Sequence, residues 1–288
     1  MVEDNSFEPK RKFFKKNTSK RIERKIKTMK KTYFKILVLL TLGLIIHTGC
    51  FSSSSGGDDV VVDDGDDTVT GTLHAAFDEF DTDNTTISLS GSTVTIEVNG
   101  RPNHTSPYWS PTHPLYVAPT VTNANSMAPG FIDEFNGSYT LSVPSNPQLT
   151  DNTTATGLGP VGFAVTGAVI YNDQEGPNVP IDNALPSLDY TGAHTGPQSY
   201  HYHIEPHAWS NDDGELIGII SDGFFLCGRR DYPSGEYPTD LDASGGHFGP
   251  TPHNPDGEYH YHIQNDLYLG AYYILFPGDY QGTPNNIN

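Results

Sequence analysis

Tyr200-His201-Tyr202-His203-Ile204 and Tyr259-His260-Tyr261-His262-Ile263 are two copies of one pentapeptide. Each copy follows a second shared pattern, Gly-x-His-x-Gly-Pro, which begins at Gly192 and again at Gly245. Successive side chains of a β-strand point to opposite faces, so each copy places two imidazoles on one face and two phenols on the other. The repeated pattern predicts an internal duplication in an all-β fold, with the two Tyr-His-Tyr-His segments forming neighbouring strands in related surroundings.

The repeated histidines are candidate metal ligands. Two imidazoles about 7 Å apart along a strand can chelate one ion. Neutral imidazole suits copper or zinc better than calcium. Two arrangements remain open. In the first, each Gly-x-His turn folds back on its own strand and gives a local three-His set with an open coordination position; in the second, both pairs share one ion. The candidate ligands are His194, His201, His203, His247, His260 and His262.

Two further side chains are candidates for a supporting role. His104 follows a turn and is considered as an additional ligand, whereas Asp222 precedes Gly223 at a predicted strand end and is considered as a carboxylate that orients an imidazole. The competing interpretation is structural: an ordinary Asp-Gly turn, and histidines and tyrosines that form buried hydrogen-bond ladders. None of the common hydrolase, phosphate-loop or zinc-protease motifs occurs, so no catalytic residue is predicted and a non-enzymatic role is favoured.

Alternating apolar and β-branched residues predict strands from about residue 71 onward. The many turn residues, 29 Gly and 22 Pro, predict long loops between them. No convincing amphipathic helix is found after residue 50, and residues 73–80 form at most one short turn. The prediction is a compact sandwich or distorted barrel. The predicted strands are residues 85–90, 93–98, 139–143, 161–171 (a buried pair), 216–220 and 272–276.

The N-terminal part is typical of a bacterial lipoprotein signal. Lysines precede an apolar run over residues 36–46, and the run is followed by small residues and Cys50. The predicted organisation is a signal region over residues 1–50 with cleavage before Cys50, an acidic Ser- and Gly-rich tether over 51–70, and a β domain over 71–288. A lipid on Cys50 implies a location in the cell envelope, on the periplasmic or cell-surface side, with the anchor as the only membrane contact.

Charge is distributed unevenly along the chain. Of the 16 Lys and Arg, 13 precede Cys50, as do 4 of the 35 acids, so 31 acids and 3 arginines follow it and give a formal charge of −28. Such a surface repels nucleic acid and anionic lipid and favours cations, although solubility in a saline habitat explains it equally well. Cys227 is the one cysteine after Cys50, so the exported part depends on its core and not on a disulfide.

Several segments resemble the YHYH-domain proteins, a bacterial, exported and largely uncharacterised family. The resemblance rests on the two tetrapeptides, on residues 98–104 (Val-Asn-Gly-Arg-Pro-Asn-His), and on residues 217–228, which contain Asp222-Gly223-Phe224. It extends over roughly residues 85–284 and implies a fold and an exported setting more firmly than an activity. Thr191 and Ser244 occupy positions where relatives often carry cysteine, so any disulfide that those relatives form is missing here.

Three functions fit these observations. The first is a cell-envelope protein that binds copper or zinc for sequestration, delivery or sensing. The second is a metal-dependent hydrolase or oxidase in which a three-His ion activates water or oxygen. The third is a structural or adhesive surface domain without a metal. Glu205 and Glu258 flank the repeats, and neither distinguishes among these functions.

Overall fold

The computed structural model describes residues 71–120, 124–135, 137–196 and 199–288. The predicted signal region, Cys50 and the predicted tether lie outside the described residues. Within the described ranges, no helix combines the length and the hydropathy that crossing a bilayer requires. Four short 3-10 helices cover Ala75–Glu79, Ile132–Glu134, Ile181–Asn183 and Leu185–Ser187.

The described part of the chain is built mainly from short strands. The strands are β1 (Thr85–Ser90), β2 (Thr93–Val98), β3 (Tyr139–Pro144), β4 (Leu149–Thr154), β5 (Pro160–Ala164), β6 (Val169–Tyr171), β7 (Gln174–Gly176), β8 (Val179–Pro180), β9 (Ala193–Gly196), β10 (Ser199–Tyr202), β11 (Leu216–Ile220), β12 (Phe225–Cys227), β13 (Gly246–Gly249), β14 (Glu258–His262) and β15 (Tyr280–Gly282).

The main sheet has eight strands in the order β13-β14-β12-β11-β5-β6-β10-β9. Each half follows the same plan. The hairpin β5–β6 is extended by β10, parallel to β6, and then by β9, antiparallel to β10; the hairpin β11–β12 is extended in the same way by β14 and β13. The two halves meet where β5 pairs antiparallel with β11. The internal duplication itself stays a prediction.

Glycines allow the two halves to approach closely. A Cβ on Gly218 would lie 2.0 Å from the carbonyl oxygen of Phe163, and one on Gly162 would lie 2.4 Å from that of Ile219. Both distances are far below van der Waals contact, so any larger residue would push β5 and β11 apart. The central seam of the sheet therefore depends on these two residues.

A second sheet covers the middle of one face. Strands β1, β2 and β3 form an antiparallel meander, and its inward side chains pack against the main sheet. Ile96 and Leu141 contribute from the meander, Phe163 and Ile219 contribute from the main sheet, and all four are fully buried. Burial of each such side chain contributes about 1.5–3 kcal/mol. The fold is thus sandwich-like, and the barrel alternative is wrong.

The register of the main sheet fixes where the histidines lie. Paired residues on adjacent strands point to the same face. On the face covered by the meander, one row of side chains crosses six adjacent strands, from the centre of the sheet to its β9 edge. In strand order the row is Phe225, Ile219, Phe163, Val169, His201, His194. The imidazoles therefore lie on the same face as the three-stranded meander, at the end of the row of core residues. The phenols point to the opposite face, where loops cover them in a second core with Tyr108, Leu275 and Phe276.

Most predicted strands are confirmed, three of them with identical bounds at Thr85–Ser90, Thr93–Val98 and Leu216–Ile220. Two predictions are wrong. Residues 272–276 are not a strand, because Tyr272 and Ile274 make only isolated bridges, to Tyr268 and to Ile204 respectively. The two Tyr-His-Tyr-His strands are not neighbours, because β12, β11, β5 and β6 lie between β14 and β10.

Candidate metal centres

The six repeated histidines lie in two separate groups, each completed by a carboxylate. We call the groups site A and site B. In each group, one nitrogen or oxygen from every residue lies within 4.8 Å of all the others. The arrangement in which both pairs share one ion is therefore wrong for this structure. Site A consists of Glu175, His194, His201 and His203, and site B consists of Asp231, His247, His260 and His262.

Strand pairing brings the histidines of each site together. His194 of β9 is directly opposite His201 of β10, and His247 of β13 is directly opposite His260 of β14. The third histidine lies two residues further along the same strand direction, on the same face. Each Gly-x-His turn thus folds back on its own Tyr-His-Tyr-His segment, which gives two local three-His sets.

The Nε2 atoms of site A converge. The Nε2 atoms of His194 and His201 are 2.9 Å apart. Oε1 of Glu175 lies 3.4 Å from Nε2 of His194 and 3.1 Å from Nε2 of His203. The side chain of Glu175 is 28% exposed, whereas that of His203 is fully buried. Site A therefore lies just beneath the surface, with its carboxylate outermost.

Site B has nearly the same geometry. Nε2 of His262 lies 3.0 Å from Nε2 of His260 and 3.2 Å from Nε2 of His247. Oδ1 of Asp231 lies 3.6 Å from Nε2 of His247. A tetrahedral zinc ion with bonds of about 2.0–2.1 Å separates its ligand atoms by about 3.3 Å, so both sites have the spacing of a tetrahedral cage.

The other ring nitrogen of every site B histidine faces an acceptor. Nδ1 of His262 lies 2.7 Å from the carbonyl oxygen of Gly228, and Nδ1 of His260 lies 3.1 Å from that of Glu258. Nδ1 of His247 lies 2.9 Å from a carboxylate oxygen of Asp240. Carbonyl and carboxylate oxygens only accept hydrogen bonds, so each Nδ1 carries the proton of the neutral ring. All three Nε2 lone pairs consequently point into the cluster.

Site A is held in a related way. Nδ1 of His203 donates to the carbonyl oxygen of Asn172 at 2.7 Å. The hydroxyl of Ser187 donates to the carbonyl oxygen of Ala184, so it accepts from Nδ1 of His194 at 2.7 Å. The ring of His201 stacks on Tyr171 at a centroid distance of 4.0 Å. These contacts orient the imidazoles as metal sites require, and in His194 and His203 the ring nitrogen that faces away from the cluster donates to an oxygen.

Burial lowers the pKa of three of the site histidines, His201, His260 and His262. Desolvation, followed by the proximity of His260, lowers the pKa of His262 to about 3. Desolvation, followed by the neighbouring rings of His203 and His194, lowers the pKa of His201 well below its usual value. The pKa of His260 is also lowered, chiefly by desolvation. At neutral pH these rings are uncharged, which is the form that binds metals.

The tyrosines of the repeats have a separate, structural role on the opposite face. Tyr261 donates to Asp222 at 2.5 Å, and Tyr200 donates to Asp189 at 2.7 Å. Burial raises the pKa of both phenols, so they remain donors. The hydrogen-bond ladder proposed as an alternative thus exists, and it is formed by the tyrosines.

Asp222 and His104 do not join the histidine clusters, and their predicted roles are wrong. Asp222 accepts from Tyr261 and from the backbone of Gly282, not from an imidazole. His104 donates through Nδ1 to the carbonyl oxygen of Thr105, accepts from the hydroxyl of Tyr202 at 2.6 Å through Nε2, and so lies on the phenol face. Tyrosines and histidines of the repeats alternate between the two faces of the sheet. Asp222 and His104 each contact a tyrosine, so both lie on the face opposite the imidazoles.

The acids that flank the repeats lie outside the clusters. Glu205 is buried against Arg229 at 2.7 Å, and Glu258 contacts His74 at 3.0 Å. Cys227 is buried and reduced, and desolvation raises the pKa of its thiol to about 12, so it is not an activated nucleophile.

Sequence reasoning missed the carboxylates Glu175 and Asp231. Each lies four residues beyond the last residue of the strand that runs parallel to the Tyr-His-Tyr-His segment, Tyr171 in β6 and Cys227 in β12. An acidic residue four positions after each of two related strands is a pattern that is visible in the sequence and could have identified both carboxylates.

Comparison with known proteins adds a family assignment. The model of the family described as YHYH protein matches residues 140–239, from β3 to the loop before β13. The chain carries a YHYH domain. The matched part of the YHYH domain includes all four residues of site A and Asp231 of site B. No curated protein and no solved structure matches the chain.

Proposed function

We propose that this YHYH-domain protein binds two transition-metal ions, zinc or copper, one at site A and one at site B. Each ion would be held by three imidazole Nε2 atoms and one carboxylate oxygen. Imidazole with a single carboxylate is a donor set for zinc and copper, and it is poor for calcium or magnesium, which take oxygen ligands.

The convergence of three unprotonated Nε2 atoms in site B supports this proposal most strongly. With every Nδ1 proton donated to an oxygen, the lone pairs of His260 and His262 face each other at 3.0 Å. Facing lone pairs repel, and a buried acceptor without a donor is costly. Oδ1 of Asp231 is also buried without a hydrogen-bond partner. One divalent cation satisfies all four atoms.

The experiment is calorimetric titration of the metal-free chain with Zn²⁺ and Cu²⁺ at neutral pH. We expect two ions per chain. Replacing His201 and His203 by Ala should remove one ion, and replacing His260 and His262 by Ala should remove the other, because the sites share no ligand.

The matched control replaces two histidines outside the clusters, His207 and His253. His207 contacts Asn211, and His253 contacts Glu79 at the surface. This double variant should bind both ions like the wild-type protein. Absence of binding heat and of any shift in the melting temperature, in protein shown to be metal-free, would favour a purely structural role for the histidines.

We further propose that the protein acts in the cell envelope, anchored by a lipid on Cys50, with the metal ion as its partner in sequestration, delivery or sensing. The lysine-rich start, the apolar run and the position of Cys50 support this part. The acidic composition after Cys50 supports attraction of cations.

A metal-dependent hydrolase is the second candidate, and the position of Glu175 favours it. A partly exposed carboxylate beside three histidines can act as a general base toward a metal-bound water. Turnover of a simple ester by the zinc-loaded protein, lost on Glu175→Gln while zinc stays bound, would establish this activity. Equal rates for the variant and the wild-type protein would exclude it.

A further inference from the structure

We propose that site A is an open centre, at which a small carboxylate with an apolar body replaces Glu175 on the metal. This inference rests on the proposed function, because the ligand needs the ion. Site B, by contrast, keeps its carboxylate and holds its ion for structure.

A pocket leads directly to site A. It encloses about 760 Å³, and Glu175, His194 and Ser187 form part of its wall. Pro129, Phe135 and Ala184 supply an apolar wall. Concave sites of this kind, apolar with a few convergent polar groups, are typical of small-molecule binding. The polar groups lie at the metal site, so a ligand would place a polar head there and an apolar body against the remaining wall.

Glu175 is the ligand of site A that can leave without disturbing the fold. It lies between the two paired positions of the short hairpin β7–β8, at an irregularity of the ladder. The three histidines belong to the main sheet or continue one of its strands, and their exposed fractions are 5% or less. An incoming ligand can therefore displace Glu175 toward solvent, whereas displacement of an imidazole would break the packing of the sheet edge.

Charge determines which ligand fits. Among the described residues that line the pocket there is no Lys or Arg, so a metal at site A would supply the positive charge within the pocket that attracts an anionic head. Replacement of one carboxylate by another leaves the charge around the ion unchanged. A carboxylate head group can therefore replace Glu175 on the metal without leaving an unpaired charge. The metal-free protein, which lacks the positive charge of the ion, should not bind this ligand.

Asp231 of site B is held more firmly. Its backbone N–H donates to the carbonyl oxygen of Glu236 and its carbonyl oxygen accepts from Gly235, each at 2.8 Å. Its Oδ1 is buried, although its side chain as a whole is 23% exposed, close to the 28% of Glu175, so the difference between the two acids lies in these backbone hydrogen bonds. Exchange at Asp231 would require this turn to open. The two sites should therefore differ in their response to external ligands.

The test uses the full chain loaded with Co²⁺, whose visible spectrum reports its coordination, with benzoate as the probe and acetate as a carboxylate without an apolar body. Benzoate should change the spectrum saturably, at a concentration at least tenfold lower than acetate requires. Glu175→Ala should lower the half-saturating benzoate concentration at least tenfold, because it opens a coordination position. The control variant His207→Ala, outside both clusters, should leave the benzoate response unchanged.

A second variant examines the pocket without altering a ligand. Ala128 lines the pocket and is not one of the four residues of site A, and Ala128→Trp should fill the pocket. This variant should keep its cobalt spectrum and need at least tenfold more benzoate. An unchanged benzoate response in Ala128→Trp, or no response in the cobalt-loaded wild type and Glu175→Ala, would overturn the inference while leaving metal binding intact. Failure of cobalt to bind at all would instead overturn the proposed function.

Discussion

Acid should destabilise the metal-free protein through its buried histidines well before the carboxylates titrate. His262 is the clearest case, because its pKa is lowered to about 3 in the folded state. In the unfolded chain the same ring titrates near 6.5. Between these values the unfolded chain takes up a proton that the folded protein does not, so lowering the pH favours unfolding.

The magnitude follows from the two pKa values. At pH 7.5 neither state is appreciably protonated at His262. At pH 5 the unfolded ring is almost fully protonated and the folded ring is not, which lowers the free energy of unfolding by about 2 kcal/mol. His201 and His260 act in the same direction, because burial lowers their pKa as well.

Urea denaturation of the metal-free protein between pH 7.5 and pH 5 measures this loss. His262→Gln replaces the ring by a neutral side chain that does not titrate, and it should reduce the pH-dependent loss by about 2 kcal/mol. The variant keeps every carboxylate of the protein, so the contribution of the carboxylates cancels in the comparison with the wild type. Equal pH dependence for His262→Gln and the wild type, or a folded-state His262 that titrates near its ordinary pKa, would refute the reasoning.

Three further predictions concern other parts of the chain. Tyr261→Phe removes a donor from buried Asp222 and should lower the free energy of unfolding by about 1.5–3 kcal/mol in urea denaturation; a loss within about 0.5 kcal/mol would contradict this. Arg229→Met leaves the carboxylate of Glu205, which is 1% exposed, without its cation and should cost about 3–5 kcal/mol by the same assay; a neutral result would show that the pair is not needed. Cys50→Ser should release the protein from membranes in cell fractionation, and membrane-bound protein with an uncut N-terminus would contradict lipid anchoring.

The sequence predicted the strands with regular alternation and the common face of the two histidines in each repeat, because both follow from local periodicity. A period of two residues places His201 and His203 on one face wherever the strand lies in the sheet. The separation of the two sites was not predictable in this way. It depends on the pairing of β5 with β11, which places both hairpins between the repeats.

The strand predictions were wrong where a segment is buried but its backbone does not form the continuous hydrogen bonds of a strand. Residues 272–276 are apolar and contain fully buried Leu275, so the interior position was predicted correctly. Their backbone pairs with the segment after β10 only locally, through Leu275 to His203 and Glu205 to Tyr273, and no strand results. Glu175 and Asp231 were missed for a related reason, since Glu175 in the short strand β7 and Asp231 in the loop after β12 reach the clusters through the tertiary fold and not through the alternation of the histidine strands.

Crystallography of the zinc-loaded protein at the zinc absorption edge tests the central claim most directly. The account predicts two anomalous peaks per chain, one in site A and one in site B, each about 2.0–2.2 Å from three Nε2 atoms and a carboxylate oxygen. Both clusters without a peak, in crystals grown with excess zinc and with every Nδ1 contact intact, would contradict it.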